Sequence, residues 1–258
     1  MCRIISFISS AGGIGKTSII YELSKDLSSS KNKVCVFDGY FGINNLSLKY
    51  ENDEDIDLKE YLVGNLSLKE VVNKANYNLF YIKSNSASFD YLLHFELIKF
   101  FVEELSSFFD YILIDVNSLN MKNLSLFLEC SNEMILICSN ENITIRNSAK
   151  LLQKACYYSN IKNQKIILNM ARVIGEIKGN FLGEKEIEEI LKREIIFVVP
   201  KFYKNNYFLL KKDAIKKRIF FKKLTTSIIQ NKKIYSGYKD KYKGFLGLLR
   251  RRFYEKFE

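Results

Sequence analysis

Short, unbroken runs of apolar residues recur along the chain, separated by stretches of mixed polarity. Runs of this kind predict strands that are covered on both faces of a sheet, because a half-exposed strand would alternate apolar and polar positions. The runs lie at Ile4–Ser9, Val34–Phe37, Asn78–Ile82, Tyr111–Ile114, Met134–Cys138, Lys165–Leu168 and Ile195–Val199.

Helical periodicity fills the stretches between these runs. The predicted helices are Ser18–Ser28, Leu58–Ala75, Leu92–Ser107, Ile145–Tyr158 and Glu184–Arg193. Strands that alternate with helices are typical of a parallel sheet with right-handed crossover connections. We therefore predict an α/β fold in which helices flank a mostly parallel sheet.

Composition narrows the class of protein. The chain has 258 residues, 47% of them hydrophobic, which is enough for one sizeable core and excludes a disordered chain. Its longest apolar runs are too short for a membrane-spanning helix, and Met1–Ile8 lacks the pattern of a signal peptide. Cys35, Cys130 and Cys138 lie in apolar runs, as expected of reduced core cysteines in a cytoplasmic protein.

Charge is distributed unevenly. Residues 201–258 carry 18 Lys and Arg against 4 Asp and Glu, whereas the first 200 residues carry 22 against 25. A basic C-terminal quarter on a nearly neutral body suggests an anionic partner, either lipid or nucleic acid. The alternative is a lysine-rich surface that contacts only water.

The most specific motif is the segment Ser10–Thr17, which reads SAGGIGKT between a predicted strand and a predicted helix. Small residues let successive backbone N–H groups converge on phosphate oxygens, Lys16 can reach the β- and γ-phosphates, and the Thr17 hydroxyl can bind Mg²⁺. We therefore predict the sheet of a P-loop NTPase. The predicted phosphate contacts are Gly12, Gly13, Ile14, Gly15, Lys16, Thr17 and Ser18.

This loop resembles the deviant Walker A loop, xKGGxGK[ST], of the MinD and ParA ATPases, and the resemblance is strongest to MinD. Other segments match along nearly the whole chain: Val34–Leu48, Asp57–Val72 and Glu141–Lys150. The resemblance implies that Asn169 and Pro200 hold the adenine of ATP. It also implies that Lys16, Asp38 and Asp115 take part in catalysis, with Thr17, Asp38 and Asp115 binding Mg²⁺ directly or through water.

Three departures from the family pattern bear on catalysis. The signature Lys of the loop, which in the family reaches the partner's nucleotide across a dimer, is Ala11 here. The second Asp of the family's DxD segment is Tyr40, and the Pro and Gly after the fourth strand are missing from Asn117–Leu119. Losing a cation directed at developing charge slows phosphoryl transfer. The sequence therefore predicts Mg-ATP binding with reduced hydrolysis.

The C-terminal residues form a basic amphipathic pattern. On a helix, Tyr242, Phe245, Leu246, Leu249, Phe253 and Phe257 would share an arc of about 120°, with Arg250, Arg251 and Arg252 mostly outside it. This pattern is typical of a helix lying in an anionic membrane surface, and it resembles the targeting sequence that closes MinD. The alternative is a final helix packed on the domain. We predict an ATPase-like domain over 1–233 and a membrane-targeting tail over 234–258.

The resemblance implies a MinD-like switch that dimerises on ATP, docks on the inner face of the cell membrane, and helps to place the division septum with a MinC-type or MinE-type partner. An alternative is a scaffold of the FlhG or CpaE type, which positions flagella or pili. A third, weaker interpretation is a ParA-type ATPase that binds DNA through the basic, aromatic segment Lys204–Lys223. The aromatic residues of this segment have spacings that suit helix packing equally well, so we do not expect nucleic acid as a partner.

Overall fold

A computed structural model describes residues 1–41, 46, 49–50, 56–86, 89–159, 161–201, 214–237 and 239. The described strands are β1 (Arg3–Ser9), β2 (Val34–Gly39), β3 (Asn73–Lys74), β4 (Leu79–Ile82), β5 (Tyr111–Val116), β6 (Glu133–Cys138), β7 (Asn163–Ala171) and β8 (Ile195–Pro200). Every apolar run that we took for a strand is one, so those predictions are confirmed. The seventh strand in chain order, β7, is longer than its predicted core of Lys165–Leu168.

The strands form one sheet in the order β3-β4-β2-β5-β1-β6-β7-β8. The pairs β1 with β5, β2 with β5, β2 with β4, and β7 with β8 are parallel, and only the short β3 runs antiparallel to its neighbour among the described pairs. β2 and β5 are buried along their whole length, as expected of strands with helices on both faces. The predicted α/β fold with a mostly parallel sheet is therefore confirmed.

The described helices are α1 (Lys16–Ser29), α2 (Lys59–Leu62), α3 (Leu68–Val71), α4 (Phe95–Leu105), α5 (Met121–Glu129), α6 (Asn142–Tyr158), α7 (Val173–Ile177), α8 (Glu184–Leu191) and α9 (Ala214–Ile229). The sequence patterns did not predict α5. Its start is nevertheless encoded locally, because the Asn120 side chain accepts a hydrogen bond from the backbone N–H of Asn123 and so caps the helix.

The single helix predicted over Leu58–Ala75 is wrong, because the structure divides this segment. Gly64 adopts a left-handed φ of +79°, which ends α2. Ser67 and Glu70 then form a capping box that starts α3. Asn73 begins β3, and its side-chain amide donates a hydrogen bond to the carbonyl of Ile56 at 2.7 Å. Local turn and cap chemistry therefore overrides the helical periodicity of the apolar residues.

Contacts divide the chain into two compact units. The first contains Met1–Ser9, Lys16–Ile135 and Gln153–Gln164, with a core that includes Phe7, Phe37, Phe101 and Phe127. The second contains Ser10–Gly15, Leu136–Leu152 and Lys165–Glu258, with a core that includes Ile166, Ile187 and Phe197.

Cys35 and Cys138 are buried, as predicted, whereas Cys130 is partly exposed. In the described part of the chain, no helix is long and apolar enough to cross a membrane. The residues predicted to contact the membrane, Phe245, Leu246, Leu249, Arg250, Arg251, Arg252 and Phe253, lie outside the described residues.

Candidate functional site

The loop between β1 and α1 depends on its glycines. Gly13 and Gly15 have φ values of +70° and +85°, a left-handed conformation that side chains disfavour. Around Gly12 and Gly13, no atom lies within 4 Å of the position that a Cβ would occupy. The loop therefore leaves open space over its backbone at these two glycines, which is what a phosphate group needs to approach the N–H groups.

Polar contacts fix this loop within the second unit. The side-chain amide of Asn169 donates a hydrogen bond to the carbonyl of Ile14 at 2.6 Å. The hydroxyl groups of Ser10 and Ser148 lie 2.9 Å apart, and Ser10 also donates to the carbonyl of Thr144 at 3.3 Å. A Cβ on Gly15 would lie 2.5 Å from Asn169 Nδ2, so glycine is required there as well.

Within the first unit, the two residues that follow the loop converge on Asp115. Lys16 Nζ forms a salt bridge with Asp115 Oδ1, and Thr17 Oγ1 donates a hydrogen bond to Asp115 Oδ2 at 2.6 Å. The Lys16 and Asp115 side chains are only 6% and 1% exposed. The predicted phosphate-binding Lys and the predicted Mg²⁺ ligands Thr17 and Asp115 thus form one buried cluster.

Strand pairing brings Asp38 to the same cluster. Asp38 near the end of β2 is the register partner of Asp115 near the end of β5. Asp38 Oδ1 accepts a hydrogen bond from the backbone N–H of Tyr40 at 3.3 Å, and Oδ2 accepts one from Leu46 at 3.1 Å. The carboxyl ends of neighbouring parallel strands are the usual place for a ligand in such sheets.

Burial dominates the electrostatics of this cluster. It lowers the pKa of Lys16 to about 7, against the opposing effect of the Asp38 carboxylate. Burial and the same carboxylate both raise the pKa of Tyr40, which keeps its phenol neutral. Among the described residues, Lys16 Nζ has no hydrogen-bond partner besides its salt bridge with Asp115 Oδ1. A buried ammonium with unused N–H groups fits a ligand that brings phosphate oxygens.

The two residues predicted to hold adenine lie at strand ends in the second unit. Asn169 lies near the end of β7 and Pro200 ends β8, where it is paired in register with Ala171. Between Asn169 and Ala171, Met170 has a left-handed φ of +53°. Non-glycine residues in this conformation occur most often at functional sites.

Sequence reasoning missed two supporting residues. Gly39 ends β2, and a Cβ there would lie 2.7 Å from Phe127 Cε2 and 2.9 Å from the carbonyl oxygen of Asp115. Asn123 donates a hydrogen bond to the Gly39 carbonyl at 2.6 Å, which fixes the end of the strand. A glycine directly after a strand-ending Asp was the signal for the first residue, while nothing local marks Asn123.

The fold and this site define a class: nucleotide-binding α/β proteins with a phosphate-binding loop between the first strand and first helix. A family model described as "CobQ/CobB/MinD/ParA nucleotide binding domain" matches residues 5–240. The chain belongs to that family. The predicted membership in the MinD/ParA family is confirmed, with MinD proteins among its relatives. Members of the family are ATPases that use ATP and Mg²⁺.

Two curated relatives illustrate the range of the family. The septum site-determining protein MinD of Thermotoga maritima is 26% identical over 206 residues, which cover 78% of this chain and 76% of that protein. The flagellum site-determining protein YlxH of Helicobacter pylori is 24% identical over 197 residues, which cover 75% of this chain and 65% of that protein.

Solved structures share the fold. MinD in the MinC:MinD cell division complex of Aquifex aeolicus aligns with a TM-score of 0.76 at 21% identity, covering 90% of this chain and 97% of the other. MinD of Pyrococcus horikoshii in complex with Mg-ADP aligns with a TM-score of 0.66 at 22% identity, covering 78% and 82%.

Proposed function

We propose that this protein is a MinD-like ATP-dependent switch that binds Mg-ATP at Gly12–Ser18 and hydrolyses it more slowly than its relatives. The observation that carries the proposal is the convergence of Lys16, Thr17 and Asp115 in one buried cluster next to the phosphate-binding loop. The open space over Gly12 and Gly13 supports it.

Each side chain has a role that its position supports. Lys16 neutralises charge on the transferring phosphate, and its three N–H groups can bond to phosphate oxygens. Thr17 would offer its hydroxyl to Mg²⁺, and Asp38 and Asp115 would order waters at the ion. The ion would supply positive charge that neutralises the phosphates. Asn169 and Pro200, at the ends of β7 and β8, are proposed to contact the adenine.

Reduced hydrolysis follows from what this chain lacks. Ala11 cannot provide a cation to a partner's nucleotide, and Tyr40 places a ring where the family has a second Asp. Ser118, in the segment that departs from the family pattern, accepts a hydrogen bond from the backbone N–H of Ser9 at 3.1 Å. The segment Asn117–Leu119 thus has a structural role here, and that role does not need the family's Pro and Gly.

The basic tail is proposed to bind an anionic membrane. Each basic residue near such a surface contributes about 1 kcal/mol, and the buried Phe and Leu side chains add to this. One tail alone would bind weakly, but two tails in an ATP-dependent dimer would bind firmly through avidity. ATP would therefore control residence on the inner face of the cell membrane.

The cellular role we favour is placement of the division septum with a MinC-type or MinE-type partner. The names of relatives support this role, as does the MinD in the complex from Aquifex aeolicus. A scaffold that positions flagella is the second candidate. It is favoured by the flagellum site-determining relative YlxH. The residues Ala11 and Tyr40, which depart from the family pattern, also suit a scaffold with little turnover. The genes that neighbour this one would distinguish the two roles.

The test is sedimentation of the full chain with vesicles of phosphatidylglycerol and phosphatidylethanolamine, in ATP, ADP or no nucleotide, while phosphate release is measured. The variants are a chain that ends at Tyr238 and a triple substitution of Arg250, Arg251 and Arg252 by Gln. The matched control replaces Arg218, Lys222 and Lys223 by Gln, because these residues are equally basic and exposed on α9.

Tail-dependent sedimentation that ATP enhances, with slow phosphate release, is the expected result. Sedimentation that is the same in ATP, ADP and no nucleotide, without phosphate release, would favour the scaffold. If the full chain does not sediment, or if the control triple loses as much binding as the tail triple, the membrane proposal is wrong. DNA binding that falls steeply with salt and survives removal of the tail would then favour the ParA-type interpretation.

A further inference from the structure

Tyr40 stands where the family has an acidic residue, and the structure places its ring over Lys16. The distance from Lys16 Nζ to the ring centroid is 5.1 Å. This lies within the range of about 6 Å over which an aromatic face attracts a cation. Tyr40 is partly buried, so water screens the contact only in part.

Two hydrogen bonds fix the peptide group that joins Gly39 to Tyr40. The backbone N–H of Tyr40 donates to Asp38 Oδ1 at 3.3 Å. The preceding carbonyl, that of Gly39, accepts a hydrogen bond from Asn123 at 2.6 Å. Because this peptide group is fixed, the Cβ of Tyr40 starts from a defined position beside Lys16.

The ammonium of Lys16 needs such contacts because it is buried. Its salt bridge with Asp115 compensates part of the lost hydration, and the face of the Tyr40 ring compensates another part. Together they stabilise an arrangement in which Lys16 is directed to Asp115. A bound phosphate would have to attract the ammonium out of this arrangement.

We infer that Tyr40 is a positioning residue for Lys16, and that its ring holds the ammonium beside Asp115 in the nucleotide-free protein and thereby lowers the affinity for nucleotide. This inference rests on the proposed nucleotide site and adds a form of regulation to it. A contact made only in the nucleotide-free arrangement multiplies the apparent affinity by the fraction of molecules that stay competent to bind. Tyr40 therefore lowers the affinity of the proposed switch for nucleotide, a role that we call a brake.

The sign of the effect separates this role from a structural one. If Tyr40 merely supported the site, removing it would weaken nucleotide binding. If Tyr40 instead lowers the affinity for nucleotide, its removal strengthens nucleotide binding, by about fivefold for a partly buried cation–aromatic contact. The conservative variant Tyr40→Phe keeps the ring and leaves affinity unchanged.

The first experiment titrates the full chain with a fluorescent ATP analogue in the presence of Mg²⁺. It compares the natural sequence with Tyr40→Leu, Tyr40→Phe and the control Tyr77→Leu, since Tyr77 is 85% exposed. The expected result is tighter binding by Tyr40→Leu alone. Equal or weaker binding by Tyr40→Leu, or an equal gain by Tyr40→Phe, would overturn the inference.

The second experiment needs no nucleotide, so it still decides the contact if the proposed function fails. A double-mutant cycle of Tyr40→Leu and Lys16→Met is followed by urea unfolding at neutral pH. The expected result is a coupling of about fivefold in the unfolding equilibrium constant, with no coupling between Tyr77→Leu and Lys16→Met. Additive effects of Tyr40→Leu and Lys16→Met would show that the ring does not hold the ammonium. Absence of analogue binding by the natural sequence would overturn the nucleotide site and, with it, the brake.

Discussion

Asp38 and Asp115 are register partners on the adjacent parallel strands β2 and β5, so their carboxylates lie at the same end of the sheet. Their positions in the chain are 77 apart. Asp115 is occupied by Lys16 and Thr17, whereas Asp38 accepts backbone N–H groups of the segment that follows β2. The two carboxylates are therefore expected to respond differently to substitution.

Replacing Asp115 with Asn should both destabilise the fold and remove Mg²⁺-dependent nucleotide binding. The substitution leaves the buried Lys16 without its counter-ion, which costs about 3 kcal/mol in the free energy of unfolding. Urea unfolding and titration with a fluorescent ATP analogue measure the two effects. Asp110→Asn is the control, because Asp110 is exposed just before the same strand and the hydrogen bond that its side chain accepts from the backbone N–H of Lys33 can also be accepted by Asn. An unchanged unfolding free energy in Asp115→Asn would contradict the importance of the salt bridge.

Gly39 should not tolerate a side chain. In Gly39→Ala the new methyl group would press against Phe127 and the Asp115 carbonyl, at a cost of about 1–3 kcal/mol. Gly12→Ala is the matched comparison, since nothing lies within 4 Å of its Cβ position. We expect thermal unfolding to be nearly unchanged for Gly12→Ala, while its nucleotide affinity falls because the methyl group occupies the phosphate space. Equal loss of stability in both variants would argue against this packing.

Restoring the family's Lys at position 11 should accelerate hydrolysis. If Ala11 is the reason for slow turnover, Ala11→Lys places a cation near the transferring phosphate and raises the rate of phosphate release about tenfold or more. Ala11→Met adds similar length without charge and should leave the rate unchanged. Turnover that stays slow in both variants would assign the defect to another departure, such as Asn117–Leu119.

The ion pair of Lys239 with Glu184 should stabilise the fold to an extent that depends on pH. Lys239 Nζ lies 2.6 Å from Glu176 and 2.9 Å from Glu184, and Lys233 lies 3.1 Å from Glu184. Burial acts to raise the pKa of Glu184, but the hydrogen bonds and charges of Lys239 and Lys233 outweigh it and lower that pKa. A carboxylate with a lowered pKa stabilises the fold above its ordinary pKa, and this stabilisation is lost as the pH falls through the lowered value.

The measurement is urea unfolding of the natural sequence and of Glu184→Gln at neutral and acidic pH. Because the contact is partly exposed, we expect Glu184→Gln to cost about 0.5–1 kcal/mol at neutral pH. The difference should shrink as the solution becomes acidic, and Glu189→Gln, an exposed substitution on the same helix, is the matched control. A difference that is independent of pH would mean that charge does not contribute.

Short sequence patterns predicted much of this architecture. The apolar runs predicted every strand except the two-residue β3, because burial on both faces requires such runs. The segment Ser10–Thr17 predicted the phosphate-binding loop, because glycine adopts the left-handed conformation of Gly13 and Gly15 without steric cost. The composition of residues 201–258 predicted an anionic partner, and the resemblance predicted the roles of Asp38 and Asp115; both stay predictions.

The remaining features depend on residues that are distant in the chain. Helical periodicity over Leu58–Ala75 did not anticipate the turn at Gly64 or the bond from Asn73 to Ile56. The position of Tyr40 over Lys16 likewise has no local signal. Side-chain chemistry and backbone preference act over a few residues, so the sequence alone determined which segments are strands and which loop can cradle phosphate. Which side chains meet depends on strand order and register, and those are set only when the whole sheet buries its two faces.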